Sequence, residues 1–224
     1  MITTGLYSYG FVLALGLLAG LYFFWKMGKD EHWSEISLFD AFFLSLLAYW
    51  VVGRAGYAFL HPQDIETVWT ALALVSHPGI HPKIGMVGAL IAFVGTSWFK
   101  GWNLWKAADL SAVAFSLILM FGMLAGLLHD PSLWLSGIVQ LGWALLTFGV
   151  VARVKKQFRF YQWYKGYLSV ARDGLAALIF FFSLGLYTLG TAVAAWPDWV
   201  GVIGGVVVMV AALCGIIYRA GRRK

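Results

Sequence analysis

Seven stretches of mostly apolar residues follow one another along this 224-residue chain, at about 7–25, 37–60, 84–99, 108–128, 132–152, 166–187 and 199–218. A helix that crosses a hydrocarbon core about 30 Å thick needs roughly 20 such residues, and in lipid only a helix or a closed barrel pairs all its backbone groups. The pattern therefore predicts an all-α integral membrane protein, a seven-transmembrane-helix bundle that forms one polytopic domain over residues 1–224. Composition points the same way: 61% of residues are hydrophobic and 12% charged, with a mean hydropathy of +0.80, whereas soluble domains are about 25% charged. The patch Val68 to Val75 is too short to cross and reads as an interfacial helix in an outer loop over 61–83. The first run follows Met1-Ile-Thr-Thr with no basic residue, which suits a retained helix better than a cleaved secretory signal.

Basic residues set the expected orientation, because lysine- and arginine-rich loops stay in the cytoplasm. Lys26 and Lys29 follow the first run, and Lys100 and Lys106 the third. Arg153, Lys155, Lys156, Arg159 and Lys165 follow the fifth, and Arg219, Arg222, Arg223 and Lys224 the seventh. Among lysines and arginines, only Lys83 stands at the alternate ends. The amino terminus is thus expected outside and the carboxyl terminus in the cytoplasm. The net charge of +6 reads as topology and contact with anionic lipid rather than nucleic-acid binding. Tryptophans and tyrosines near the helix ends, such as Trp25, Trp102, Trp134 and Tyr164, read as an aromatic belt at headgroup level. The lone cysteine, Cys214, excludes a disulfide within the chain and a cysteine-based metal site.

Two basic residues fall inside expected helices. Arg54, in Val51-Val-Gly-Arg-Ala-Gly-Tyr57, stands about two turns from the outer end of the second run, where an unpaired charge costs several kcal/mol. Its guanidinium fork suits the phosphate of a lipid headgroup; the alternative is a structural arginine that snorkels or pairs with an acid such as Asp64. Arg172 and Asp173 are expected five or six residues into the sixth helix, for a functional role or an inter-helix salt bridge. The second helix is expected to begin at Ser37-Leu-Phe-Asp40, with serine as cap. His61, His77, His81 and His129 belong to the outer side with Asp64, Glu66 and Asp130. His77 and His81 have a ligand-like spacing, but Pro-Gly-Ile between them and Pro82 after them break a helix, so no metal site is assigned. A histidine here reads as a headgroup-zone residue or a general base. Retinal proteins, which need a lysine in the last helix, are excluded because 199–218 has none.

Several segments, taken in order, resemble the prolipoprotein diacylglyceryl transferase family. Tyr7-Ser-Tyr-Gly-Phe-Val-Leu-Ala-Leu-Gly16 resembles its opening helix with a Tyr-Gly pair, and Gly53-Arg54-Ala-Gly56-Tyr57 its Gly-x-Arg-x-Gly-Tyr stretch, with the glycine one place nearer the arginine. Pro78-Gly79-Ile-His81-Pro-Lys83-Ile-Gly85-Met-Val-Gly88 falls where the family has Gly-Gly-Met-Ser-Phe-His-Gly-Gly, which sets Lys83 at the place of the family's histidine and His81 two residues before it. Gly166-Tyr-Leu-Ser-Val-Ala-Arg172 resembles the stretch with an essential arginine. The family signature Gly-Arg-x-Gly-Asn-Phe-x-Asn-Gly-Glu is replaced here by Gly122-Met-Leu-Ala-Gly126-Leu-Leu-His-Asp130.

The resemblance implies a bacterial inner-membrane enzyme that moves a diacylglyceryl group from phosphatidylglycerol to the lipobox cysteine of a prolipoprotein, with no cofactor. Its partners would be phosphatidylglycerol or another anionic phospholipid and the prolipoprotein signal peptide. In that reading Arg54 and Arg172 clamp phosphate and Lys83 or His81 is the base. Tyr9, Gly53, Tyr57 and Gly85 bind substrate. The missing signature leaves a catalytically inactive relative that binds anionic lipid or handles lipoproteins as the alternative. A small transporter is the third reading, with only Arg54, Arg172 and Asp173 to supply charge within the membrane.

Overall fold

The structure is a computed structural model, and it describes residues 2–64, 79–129, 134–164, 173–194 and 198–221. It contains seven long helices: α1 (Ile2–Asp30), α2 (Glu35–Leu60), α3 (Pro82–Phe99), α4 (Leu104–His129), α5 (Trp134–Tyr164), α6 (Leu175–Ala194) and α7 (Trp199–Gly221). A short 3-10 turn, Pro62–Asp64, follows α2. All seven helices are long and apolar enough to cross a membrane, and no strand occurs among the described residues. Large apolar side chains lie on the outside of the protein, Phe11, Ile91, Val139 and Val200 among them, as a lipid solvent requires. The patch expected at Val68 to Val75 lies outside the described residues.

The chain divides into two compact units, one of residues 28–104 and the other of residues 1–27 with 105–224. In the first, α2 and α3 pack along glycines. A Cβ added at Gly85 would come 2.7 Å from the Tyr49 carbonyl oxygen, and one at Gly88 2.6 Å from Val52 Cβ. Small residues here let the backbones approach, the usual means of helix association where hydrophobic driving force is absent. At the other end of this unit Trp33 stacks on Trp102 with centroids 4.2 Å apart. Exposed ion pairs Lys29–Glu35 (2.7 Å) and Lys100–Asp40 (3.1 Å) flank the stack, each worth little in such a setting.

The helix α2 begins earlier than the sequence suggests. Ser34, not Ser37, is its cap: the Ser34 Oγ accepts from the Ser37 backbone N–H at 3.2 Å, and Glu35 supplies the first-turn acid. The polar pair Ser34 and Glu35 lies ahead of the apolar run, so hydropathy alone places the start too late.

In the second unit the core is built from Ala112 and Val113 on α4, Val151 on α5, and Ala176, Ala177 and Phe180 on α6. Phe115 meets Phe180 edge-on at 5.9 Å, and the hydroxyls of Thr147 and Ser183 join α5 to α6 at 2.6 Å. The start of α6 corrects the expected boundary: the helix opens at Leu175 rather than near 166 and runs to Ala194, past the expected end at 187. Asp173 therefore precedes the helix. Gly174 has φ +98, a conformation that suits glycine. The buried carboxylate of Asp109, on α4, accepts from the Gly174 N–H at 2.7 Å and the Ala177 N–H at 2.9 Å. An acid 65 residues away thus caps α6. The helix α5 also outruns its apolar stretch and continues to Tyr164, because the segment after Ala152 holds no glycine or proline before Gly166.

Candidate functional site

Arg54 lies in the last two turns of α2 and is 6% exposed. A buried guanidinium needs acceptors, and one is close: Nη1 donates to the Gly79 carbonyl oxygen at 2.8 Å. Three residues on, the Tyr57 ring lies under the guanidinium, with 5.6 Å from Cζ to the ring centroid, a cation–π contact favoured where water is scarce. The i, i+3 spacing on a helix puts the two on one face.

Residues 79–81 form a strap across this end of α2. The His81 backbone N–H donates to the Gly53 carbonyl oxygen at 3.0 Å. A Cβ at Gly53 would come 2.7 Å from Ile80 Cγ2, and one at Gly79 would press on the Tyr57 ring at 2.6 Å. Gly53 and Gly79 let the strap lie flat, and that brings the Gly79 carbonyl to Arg54. His81 then caps α3: its Nδ1 accepts from the Ile84 backbone N–H at 3.4 Å, and Pro82 occupies the first helical turn, where its missing N–H costs nothing. Lys83 follows with an exposed side chain.

Of the residues singled out from sequence, Gly53, Arg54, Tyr57, His81 and Gly85 come together in one unit, with Lys83 on the first turn of α3 beside them. Gly85 serves there as the contact between α3 and Tyr49. Tyr9 belongs to the other unit, where its ring meets that of His129 edge-on at 5.8 Å. Arg172 and His77 lie outside the described residues. Among the described residues no three histidine, cysteine or acidic side chains gather as a metal site.

Two further contributors take their place at Arg54 only in the structure. Gly79 offers only a carbonyl, which no residue type advertises. His61 stacks on Tyr57 with centroids 4.5 Å apart and an interplanar angle of 17°. The signal for His61 was its spacing, four residues after Tyr57 and seven after Arg54, which extends the same helical face to the end of α2.

A buried arginine near one end of a membrane-spanning helix, roofed by a glycine strap, defines an intramembrane site of the kind that suits an anionic headgroup. The sequence profile of the prolipoprotein diacylglyceryl transferase family matches residues 1–134, and the chain belongs to that family. It is also 26% identical over 116 residues to the phosphatidylglycerol–prolipoprotein diacylglyceryl transferase of Bacillus licheniformis, a stretch covering 49% of this chain and 40% of that protein. The match thus spans less than half the length of that relative. The whole strap and α2 fall within the family match, whereas α5, α6 and α7 lie at or beyond its end.

Proposed function

We propose that this protein transfers a diacylglyceryl group from phosphatidylglycerol to the thiol of a lipobox cysteine in a prolipoprotein signal peptide, at the outer side of a bacterial cytoplasmic membrane. The observation that carries the reading is Arg54, buried at the end of α2 within the part of the chain that matches the family. Its charge and planar donor fork suit the phosphodiester of the lipid and the phosphate that departs from it. Negative charge on the departing phosphate grows during transfer, so a fixed cation beside it favours the transition state over the bound lipid. The exposed ammonium of Lys83 adds positive charge at the same end, and Lys83 and His81 are the groups the resemblance offers as base. Arg172 and Tyr9 are further contributors by resemblance.

One sequence observation favours a second reading. The stretch Gly122 to Asp130 on and after α4 lacks the arginine, asparagines and glutamate of the family signature, which suits a relative that binds anionic phospholipid without turnover.

Native mass spectrometry of the protein released from mixed-lipid nanodiscs tests the shared part of both readings. Wild-type protein should retain phosphatidylglycerol over phosphatidylcholine, and Arg54→Lys should lose about tenfold or more of that preference, since lysine keeps the charge but not the two-pronged geometry. Equal retention of both lipids by the wild type would remove Arg54 as a headgroup residue.

A further inference from the structure

We infer that His61 is the proton acceptor of the Arg54 site, an inference that rests on the transfer reaction proposed above. The last turns of α2 carry a ladder of Arg54, Tyr57 and His61, in which the guanidinium sits 5.6 Å from the Tyr57 centroid and the tyrosine ring lies 4.5 Å from the imidazole. His61 ends the helix and is half-buried, whereas Arg54 is buried.

Backbone contacts decide which histidine can take a proton. His61 Nδ1 lies 3.3 Å from the Tyr57 carbonyl oxygen. A carbonyl only accepts, so in the neutral ring Nδ1 carries the hydrogen and Nε2 is left with a bare lone pair. His81 has the opposite arrangement. Its Nδ1 accepts from the Ile84 N–H, so the neutral ring carries its hydrogen on Nε2, and protonation at Nδ1 would remove the cap of α3. Lys83, as an ammonium, has three donors and no acceptor. Among these groups, and among the described residues, His61 Nε2 is the lone pair left uncommitted, one tyrosine ring along the ladder from Arg54.

The step balances without an outside reactant. The cysteine S–H proton passes to His61 Nε2, and the thiolate electron pair forms a bond to the glyceryl carbon that bears the phosphate. The carbon–oxygen bond to phosphate breaks, and its electron pair leaves on the phosphate oxygen next to the Arg54 guanidinium. The imidazolium then returns the proton to the departing glycerol phosphate, and neutral His61 is restored.

The test uses full-length protein in phosphatidylglycerol nanodiscs with a lipobox peptide. His61→Asn should lower kcat by about 100- to 10,000-fold while the KM for lipid stays within about threefold. Added imidazole should restore part of the activity of His61→Gly, which a packing role would not explain. His81→Asn keeps a side-chain cap, and its loss should be smaller than that of His61→Asn by about tenfold or more. Nitrogen chemical shifts of histidine-labelled wild-type protein give a readout independent of turnover, with the hydrogen on Nδ1 of His61 and on Nε2 of His81. An active wild type whose His61→Asn variant is equally active, or reversed tautomers, would remove His61 as the base and leave the transfer reading intact. A wild type that transfers nothing would remove that reading and the base with it.

Discussion

Asp109 shows how a single side chain can hold together distant parts of a membrane protein. Its two carboxylate oxygens accept from the Gly174 and Ala177 N–H groups, which would otherwise be unpaired donors at the start of α6. Asp109→Ala leaves both donors buried without an acceptor, and Asp109→Asn retains one accepting oxygen. The expected loss is about 1–3 kcal/mol for alanine and less for asparagine, read as ordered shifts in the unfolding midpoint of the purified protein in detergent. Equal midpoints for all three forms would show that the contact contributes nothing. Asp109 lies inside an apolar run that the sequence marks as helix, yet its role depends on a partner 65 positions on, which no local pattern reveals. The sequence does mark Arg54, because charge in an apolar run is rare and costly. It does not mark Gly79, since the partner of Arg54 is a main-chain oxygen.

At the scale of elements, hydropathy locates all seven helices because membrane helices are defined by a length and a solvent. It misplaces ends where polarity and helix boundary differ. The Ser34 cap lies ahead of the apolar run, α5 continues as helix after Ala152, and α6 waits for the turn at Gly174. The packing of α2 on α3 gives a direct test. A side chain at Gly85 would drive into the Tyr49 carbonyl, whose atoms belong to the helix backbone and cannot rotate away. Gly85→Val should therefore lower the unfolding midpoint and weaken phosphatidylglycerol retention together, because the strap that meets Arg54 is fixed by the same packing. A Gly95→Val change, at a glycine with open space around its Cβ position, is the comparison and should leave the unfolding free energy within about 1 kcal/mol of wild type. Matching losses at both positions would contradict the close-approach account.

For the whole molecule, we propose from the basic ends of the first, third, fifth and seventh helices that the carboxyl terminus lies in the cytoplasm and the Arg54 end of α2 outside. A reporter fused after Lys224 should read as cytoplasmic, and one inserted beside His129 as external; a cytoplasmic signal at His129 would invert the arrangement. In the proposed orientation, Arg54, His61 and the strap would face the side where an exported lipoprotein precursor presents its cysteine. We propose that this side of the protein carries out the transfer. The most direct measurement is mass spectrometry of a lipobox peptide incubated with the purified wild-type protein in phosphatidylglycerol nanodiscs. The account predicts a peptide whose cysteine carries a diacylglyceryl thioether, formed in step with released glycerol phosphate and lost with Arg54→Lys. An unmodified peptide, from a protein that still retains phosphatidylglycerol in an Arg54-dependent way, would contradict it and leave a lipid-binding relative without turnover.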